Sequence, residues 1–282
     1  MCRAKFVDHV TAAEVVTIEK LTPKIIARPI GPLPFDDSSD LELSPSDSLI
    51  QKELTKAKEL SDNLQMILNA DKTKIFSINP SHNYQFQPRV RVPGSNSDLE
   101  VVTSTKLVGV TLTSDLKFHK HVDNIVKSAN GKLWMLRNLK KFSIIEEDLI
   151  LIYTTFIRCK LEYCVPVWNP SLTQHDIEEI ERVQKTALKI ILGESYGGYQ
   201  TALEMCDLET LEDRREELSL GFALNCVNNE NHKHMFKLSE NERLHHPDKF
   251  MTPFCCNERY WNSPIPYLTR LLNESYKNNN AN

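Results

Sequence analysis

At 282 residues and a formal net charge of −4 the chain has room for one or two hydrophobic cores, and any case for a nucleic-acid partner must rest on local charge. No apolar run approaches a membrane span, Met1 to Val16 lacks a signal-peptide pattern, and only Cys255 and Cys256 of the seven cysteines are adjacent. An intracellular chain in a reducing compartment is expected, with no membrane association and no disulfide framework.

Residues 5–11 alternate as a short hairpin with Asp8 and His9 at its tip. Residues 15–48 hold Pro23, Pro29, Pro32 and Pro34 and then Asp36-Asp37-Ser38-Ser39-Asp40, which predicts an extended connection with little regular structure. A helix is predicted from Pro45 or Ser46 to about Met66, with Leu49, Ile50, Leu54, Ala57, Leu60 and Leu64 on one side. A strand follows at 75–78. A hairpin pairing 89–92 with 99–102 around Pro93-Gly94-Ser95-Asn96 comes next, and then a strand at 106–112.

Three helices with short breaks are predicted between 114 and 193. The first starts near Ser114 or Asp115 and buries Val122, Ile125, Val126, Ala129, Leu133 and Leu136. Ser143 and Glu146 have the spacing of a capping box, so the second starts there and buries Leu149, Ile152, Tyr153 and Phe156; it cannot continue far past Pro166. The third opens near Ser171 or Thr173, buries Ile177, Ile180, Ala187, Leu188 and Ile191, and stops at Gly193. After a flexible joint at Tyr196-Gly197-Gly198-Tyr199, further helices are predicted at 201–205 and 211–227. Arg214 and Arg215, among Glu212, Asp213, Glu216 and Glu217, read as intramolecular ion pairing. The tail carries His232, His234, His245, His246, Cys255 and Cys256 without the spacing of a zinc site, and its Asn-rich end is predicted to be disordered.

The first of the three helices is basic. Lys117, Lys120, Lys127, Lys132, Arg137, Lys140 and Lys141 face only Asp115 and Asp123 in this stretch. At about 100° per residue, Lys120, Lys127 and Lys141 fall opposite the apolar stripe with Trp134 between them. An aromatic set into a basic face suits a nucleic-acid backbone, with stacking or cation–π contact added. The plain alternative is a solvated lysine face with Trp134 packed on a neighbouring element.

Five stretches carry a family resemblance: Lys106-Leu107-Val108-Gly109; Asp115-Leu116; Leu161-Glu162-Tyr163 with Trp168; Glu181-Arg182-Val183-Gln184-Lys185-Thr186-Ala187-Leu188; and Leu211-Glu212-Asp213-Arg214-Arg215-Glu216. In order and spacing, from about residue 4 to Asn273, the chain resembles the downstream part of reverse transcriptases from non-LTR (LINE-type, jockey-like) retrotransposons. The resemblance implies an α+β fold: a partial palm over 1–113, with a small antiparallel sheet and a backing helix, a mostly α-helical thumb bundle over 114–228, and a partly disordered extension over 229–282.

In that family the partners are an RNA template and a DNA primer, and the cofactor is Mg2+, held by palm carboxylates. The resemblance makes Asp8 the metal-binding catalytic aspartate. His9 stands where a second aspartate is usual, and a neutral nitrogen suits magnesium poorly. The family's other palm aspartate has no counterpart before Asp8, so the expected state is a chain that does not bind Mg2+ productively and does not polymerise. Leu68-Asn69 and Lys72-Thr73 match a motif whose lysine acts as a general acid, which would make Lys72 that group. Lys106 and Gly109 fall in the primer-grip region, and Lys120, Lys127, Trp134 and Lys141 on the thumb face toward the duplex. The alternative from another class is a non-enzymatic module that binds a protein through an exposed palm surface.

Overall fold

The computed structural model describes residues 14–17, 45–78, 89–95, 97–239 and 248–280. Asp8, His9 and most of the predicted connection lie outside them. The chain is α+β and mostly helical, in two compact units, Met1–Lys120 and His121–Asn282.

The first unit contains β1 (Glu14–Thr17), α1 (Pro45–Asn63), β2 (Lys74–Ser77), β3 (Glu100–Val102), β4 (Ser104–Leu107) and β5 (Val110–Thr113). β1 thus puts regular structure at the start of the stretch predicted to be an irregular connection. β1 runs antiparallel and β3 parallel to the central β2, while β4 and β5 form a separate hairpin. Successive side chains of a strand face opposite ways, and β2 packs on both sides. Ile75 joins Ile50, Leu54, Leu68, Val90, Val92 and Leu99, while Phe76 packs with Ile78, Val102, Leu112 and Leu116.

Three expectations need correction here. α1 stops at Asn63, where Gln65 turns left-handed at φ 54° and Ser61 Oγ donates to Met66 O at 2.7 Å. Of its predicted apolar stripe, Ile50 and Leu54 are buried, whereas Leu49, Leu60 and Leu64 are exposed. Four-residue strands span about 13 Å, too short to cover a helix of about 28 Å. The predicted hairpin at 89–102 does not form as two strands. Gly94 (φ 89°) and the 2.9 Å bond from Ser95 N to Val92 O close its turn. However, the backbone N–H and C=O of Arg91 pair with the Gln51 side chain, and β3 pairs with β2. The predicted strand at 106–112 is the β4–β5 hairpin. Val108 (φ 45°) and Gly109 (φ 87°) make its two-residue turn, and positive φ at both positions is the geometry of type I′.

α2 (His119–Lys141) crosses the boundary between the units and starts later than predicted. The Asp115 carboxylate accepts from Thr113 Oγ1 (2.7 Å) and Lys117 N (3.1 Å), and Leu116 is left-handed at φ 50°, so residues 114–118 form a turn. α3 (Glu146–Ile152) has Ile145 as its N-cap with no side-chain bond, and Ser143 sits at φ 57°; the predicted capping box is absent. A capping box forms instead between Thr173 and Asp176, at the start of α6.

Between α3 and α4 (Cys159–Glu162) the chain makes a π-helical turn over Tyr153–Arg158. The wider turn shifts the phase. The core then takes Leu149, Tyr153, Ile157 and Leu161, while Phe156, predicted to be buried, is 57% exposed. α5 (Val165–Trp168), α6 (Gln174–Leu192), α7 (Tyr199–Cys206) and α8 (Leu211–Asn228) follow. α6 stops at Gly193 (φ 56°) as predicted. α9 (Glu258–Trp261) and α10 (Pro264–Asn280) complete the unit, and α10 continues into the Asn-rich end predicted to be disordered. Leu268, Leu271 and Leu272 share a core with Ala223 and Cys226 of α8 and with Phe236 and Phe250.

Candidate nucleic-acid interface

Seven residues on an α-helix fall about 20° short of two turns, so Lys127, Trp134 and Lys141 form one slowly drifting row on α2. Val122, Val126, Ala129, Leu133 and Leu136 are buried on the other side, which holds this row outward. Lys127 and Lys141 are exposed, and Trp134 is 69% exposed. The indole therefore stands largely at the surface. The buried His121 meets Trp168 edge-on at 5.6 Å, a core role that the apolar pattern did not announce.

The other basic residues of the stretch divide by partner. Lys120 Nζ donates to Ser104 Oγ at 2.7 Å, both in the first unit. Lys132 Nζ donates to Phe156 O at 2.8 Å, satisfying a carbonyl of the π-helical turn. Lys140 Nζ donates to Ile191 O at 2.5 Å and lies 3.3 Å from Glu146, so it closes the C-terminal end of α6. These three lysines support the fold. Lys127, Arg137 and Lys141 are exposed and have no hydrogen-bond or ion-pair partner among the described residues. Asp123 is the single acidic side chain of α2. Arg137 was missed as a face residue, although it sits three residues from Trp134 and four from Lys141, the spacing of helix-surface neighbours. Phe142, 78% exposed, extends the aromatic character past the helix end.

The remaining residues marked by the resemblance belong to the first unit. Asp8 lies outside the described residues. Among those described, no cluster of three His, Cys, Asp or Glu side chains is placed to hold a metal ion. Leu68 and Thr73 are buried, Asn69 Oδ1 accepts from Lys72 N (3.2 Å), and Thr73 Oγ1 donates to Asn69 O (2.8 Å). The motif thus builds a 3₁₀ turn that leaves the Lys72 side chain exposed. Lys106 is exposed on β4 opposite Thr111, and Gly109 is exposed in the hairpin turn.

The longest stretches behind the resemblance have a structural role. Glu181 Oε1 accepts from the Tyr199 hydroxyl and from Leu211 N (3.2 Å). Gln184 Nε2 donates to Tyr199 Oη (3.0 Å) and to Glu209 O (2.8 Å), and its Oε1 accepts from the Tyr153 hydroxyl (2.7 Å). The predicted flexible joint is therefore pinned at Tyr199. Arg215, buried, donates through Nε to Asn169 Oδ1 (2.9 Å), and Asn169 Nδ2 donates to Tyr267 Oη (3.2 Å). Glu162 pairs with Arg158 (3.0 Å) and Arg214 (3.3 Å), and Arg214 also pairs with Glu217. Burial pushes the Tyr153 phenol well up; burial and then the bond to Glu181 do the same for Tyr199. Burial pulls Arg215 down.

Comparison with family models, curated proteins and solved structures gives no match for this chain. Among the described residues, no helix is long and apolar enough to cross a membrane.

Proposed function

We propose that the second unit is a nucleic-acid-binding thumb that grips a template–primer duplex, as part of a non-LTR retrotransposon reverse transcriptase. The observation that supports this is Trp134, 69% exposed between Lys127 and Lys141 on a helix with one acidic side chain. An indole so exposed gains little from the core and is placed to stack on a base or sugar. Lys127, Arg137 and Lys141 neutralise phosphates, and each seven-residue step covers about 10 Å of helix axis. In the resembled family, magnesium at the position of Asp8 supplies nucleotidyl transfer. His9 offers a neutral nitrogen in place of an anionic oxygen, so holding the duplex, not extending it, is the activity assigned to this chain.

The test is a salt titration of duplex binding by fluorescence anisotropy. Three phosphate contacts give a slope of log affinity against log salt of about −2 to −3. Replacing Lys127, Arg137 and Lys141 with Gln should flatten that slope at an unchanged melting temperature. Trp134→Ala should lower affinity by about 1 kcal/mol and leave the slope alone, since stacking releases no counterions. Equal slopes for wild type and the triple variant would end this reading.

A protein-interaction module remains the second reading. It draws on Leu49, Leu60, Leu64 and Ile67, all exposed on or just after α1. Such a module gives no salt-dependent duplex affinity in the same titration.

A further inference from the structure

Cys255 and Cys256 lie side by side between Phe250 and α9, and both are free thiols. Cys206 and Cys226 are buried singly, whereas Cys256 is exposed and Cys255 half-buried. Cys255 Sγ donates to Pro253 O at 3.2 Å. Among the described residues, no backbone–backbone hydrogen bond holds residues 252–256 between the 2.8 Å bond from Met251 N to Lys237 O and the 3.1 Å bond from Trp261 N to Asn257 O. The φ and ψ angles on either side of the Cys255–Cys256 peptide are therefore not held by a backbone ladder.

Two side chains are coupled electrostatically to the pair. Arg270 of α10 is held in place, its guanidinium 4.0 Å from the centre of the Trp261 ring and donating to Trp261 O at 2.8 Å. From there its charge acts on Cys255: burial pushes that thiol up and Arg270 opposes the rise. Burial, and then the charge of the two sulfurs, pushes the Tyr260 phenol up. Asn257, the next residue, caps α9 by accepting from Tyr260 N at 2.7 Å.

We propose that Cys255 and Cys256 form a vicinal-dithiol redox site that exchanges with small-molecule disulfides of the glutathione class. The thiolate of Cys256, the more accessible sulfur, attacks one sulfur of the disulfide. That S–S bond breaks, a mixed disulfide forms on Cys256, and one glutathione thiolate leaves. Cys255 then gives up its proton, attacks Cys256 Sγ, closes the ring disulfide and expels the second glutathione thiolate. The two protons from the cysteines end on the two released thiols. The chain loses two electrons and the glutathione disulfide gains them. Closure occurs next to the Asn257 cap and links the redox state to the seating of α9. Nothing in this step depends on the nucleic-acid reading.

The test uses the full reduced chain with glutathione disulfide, an acid quench, alkylation and peptide mapping by mass. Wild type should pass through a transient adduct on Cys256 to a Cys255–Cys256 disulfide within one molecule. C255S should trap the adduct on Cys256, and C256S should react about tenfold more slowly at its first step. R270Q should slow ring closure and leave the first step unchanged. An adduct on Cys256 as persistent in wild type as in C255S, or a disulfide between two molecules, would overturn the proposal. The wild-type time course decides alone if a variant fails to fold.

Discussion

Tyr153, Glu181, Gln184 and Arg215 put polar atoms where apolar ones would be expected, and each then depends on its partners. A buried polar group left unpaired costs about 1–3 kcal/mol. Tyr153→Phe removes the hydroxyl that donates to Gln184 Oε1 and should destabilise the second unit by that amount in urea unfolding. The pH dependence has a definite sign. A phenol whose folded pKa is raised contributes stability that is full below its unfolded pKa near 10 and is lost as pH rises through the folded value. Wild type should therefore lose stability above pH ~10 more steeply than Tyr153→Phe, because Tyr153 must ionise on unfolding. A melt series showing parallel loss in both would remove this role. The Glu181 and Gln184 motif that marks the resemblance is thus explained by core chemistry, while the binding case rests on Lys127, Trp134, Arg137 and Lys141.

Whole helices were legible where their ends carry specific chemistry, as at Thr173 and Gly193, which bound α6. The π-helical turn was not, because apolar spacing read at 3.6 residues per turn places Phe156 inside and leaves Ile157 out. Ile157→Ala should cost about 2–4 kcal/mol, whereas Phe156→Ala should stay within about 0.5 kcal/mol. The reverse order in denaturant unfolding would restore an unbroken α-helix. The β4–β5 turn escaped notice for a different reason. Val at a left-handed position contradicts turn chemistry, so Val108 read as strand. Val108→Asn, compatible with that backbone, should raise stability by about 1 kcal/mol, measured by the urea midpoint. Within the candidate site, the basic stripe was visible from spacing alone. Its division into lysines that serve the fold and those left exposed was not, because Ser104, Phe156 and Ile191 are distant in sequence from their lysines.

The two units divide the predicted roles of the molecule. Lys72, Lys106 and Gly109 belong to the first, and Lys127, Trp134, Arg137 and Lys141 to the second. Because α2 starts at His119, a fragment from Ser114 onward contains the whole helix. Such a fragment should retain helical circular dichroism and the salt slope of the full chain. A slope reduced by half or more would place phosphate contacts in the first unit.

The Arg215–Asn169–Tyr267 chain also sets a schedule for synthesis. Tyr267 follows Arg215 by 52 residues, from 267 minus 215. A ribosome adding roughly 5–20 residues each second therefore takes about 3–10 seconds to deliver it. Asn273, whose amide brackets the Phe250 backbone at 2.9 Å on both sides, comes later still. Until then the nascent second unit holds a guanidinium whose hydrogen-bonding partner Asn169 lacks its own, along with a Phe250 peptide group that has no Asn273. Release at a premature stop before Tyr267 leaves α2 and its basic row intact in sequence but the bundle unsealed. Such a product should be cleared by cellular proteases sooner than the full-length chain.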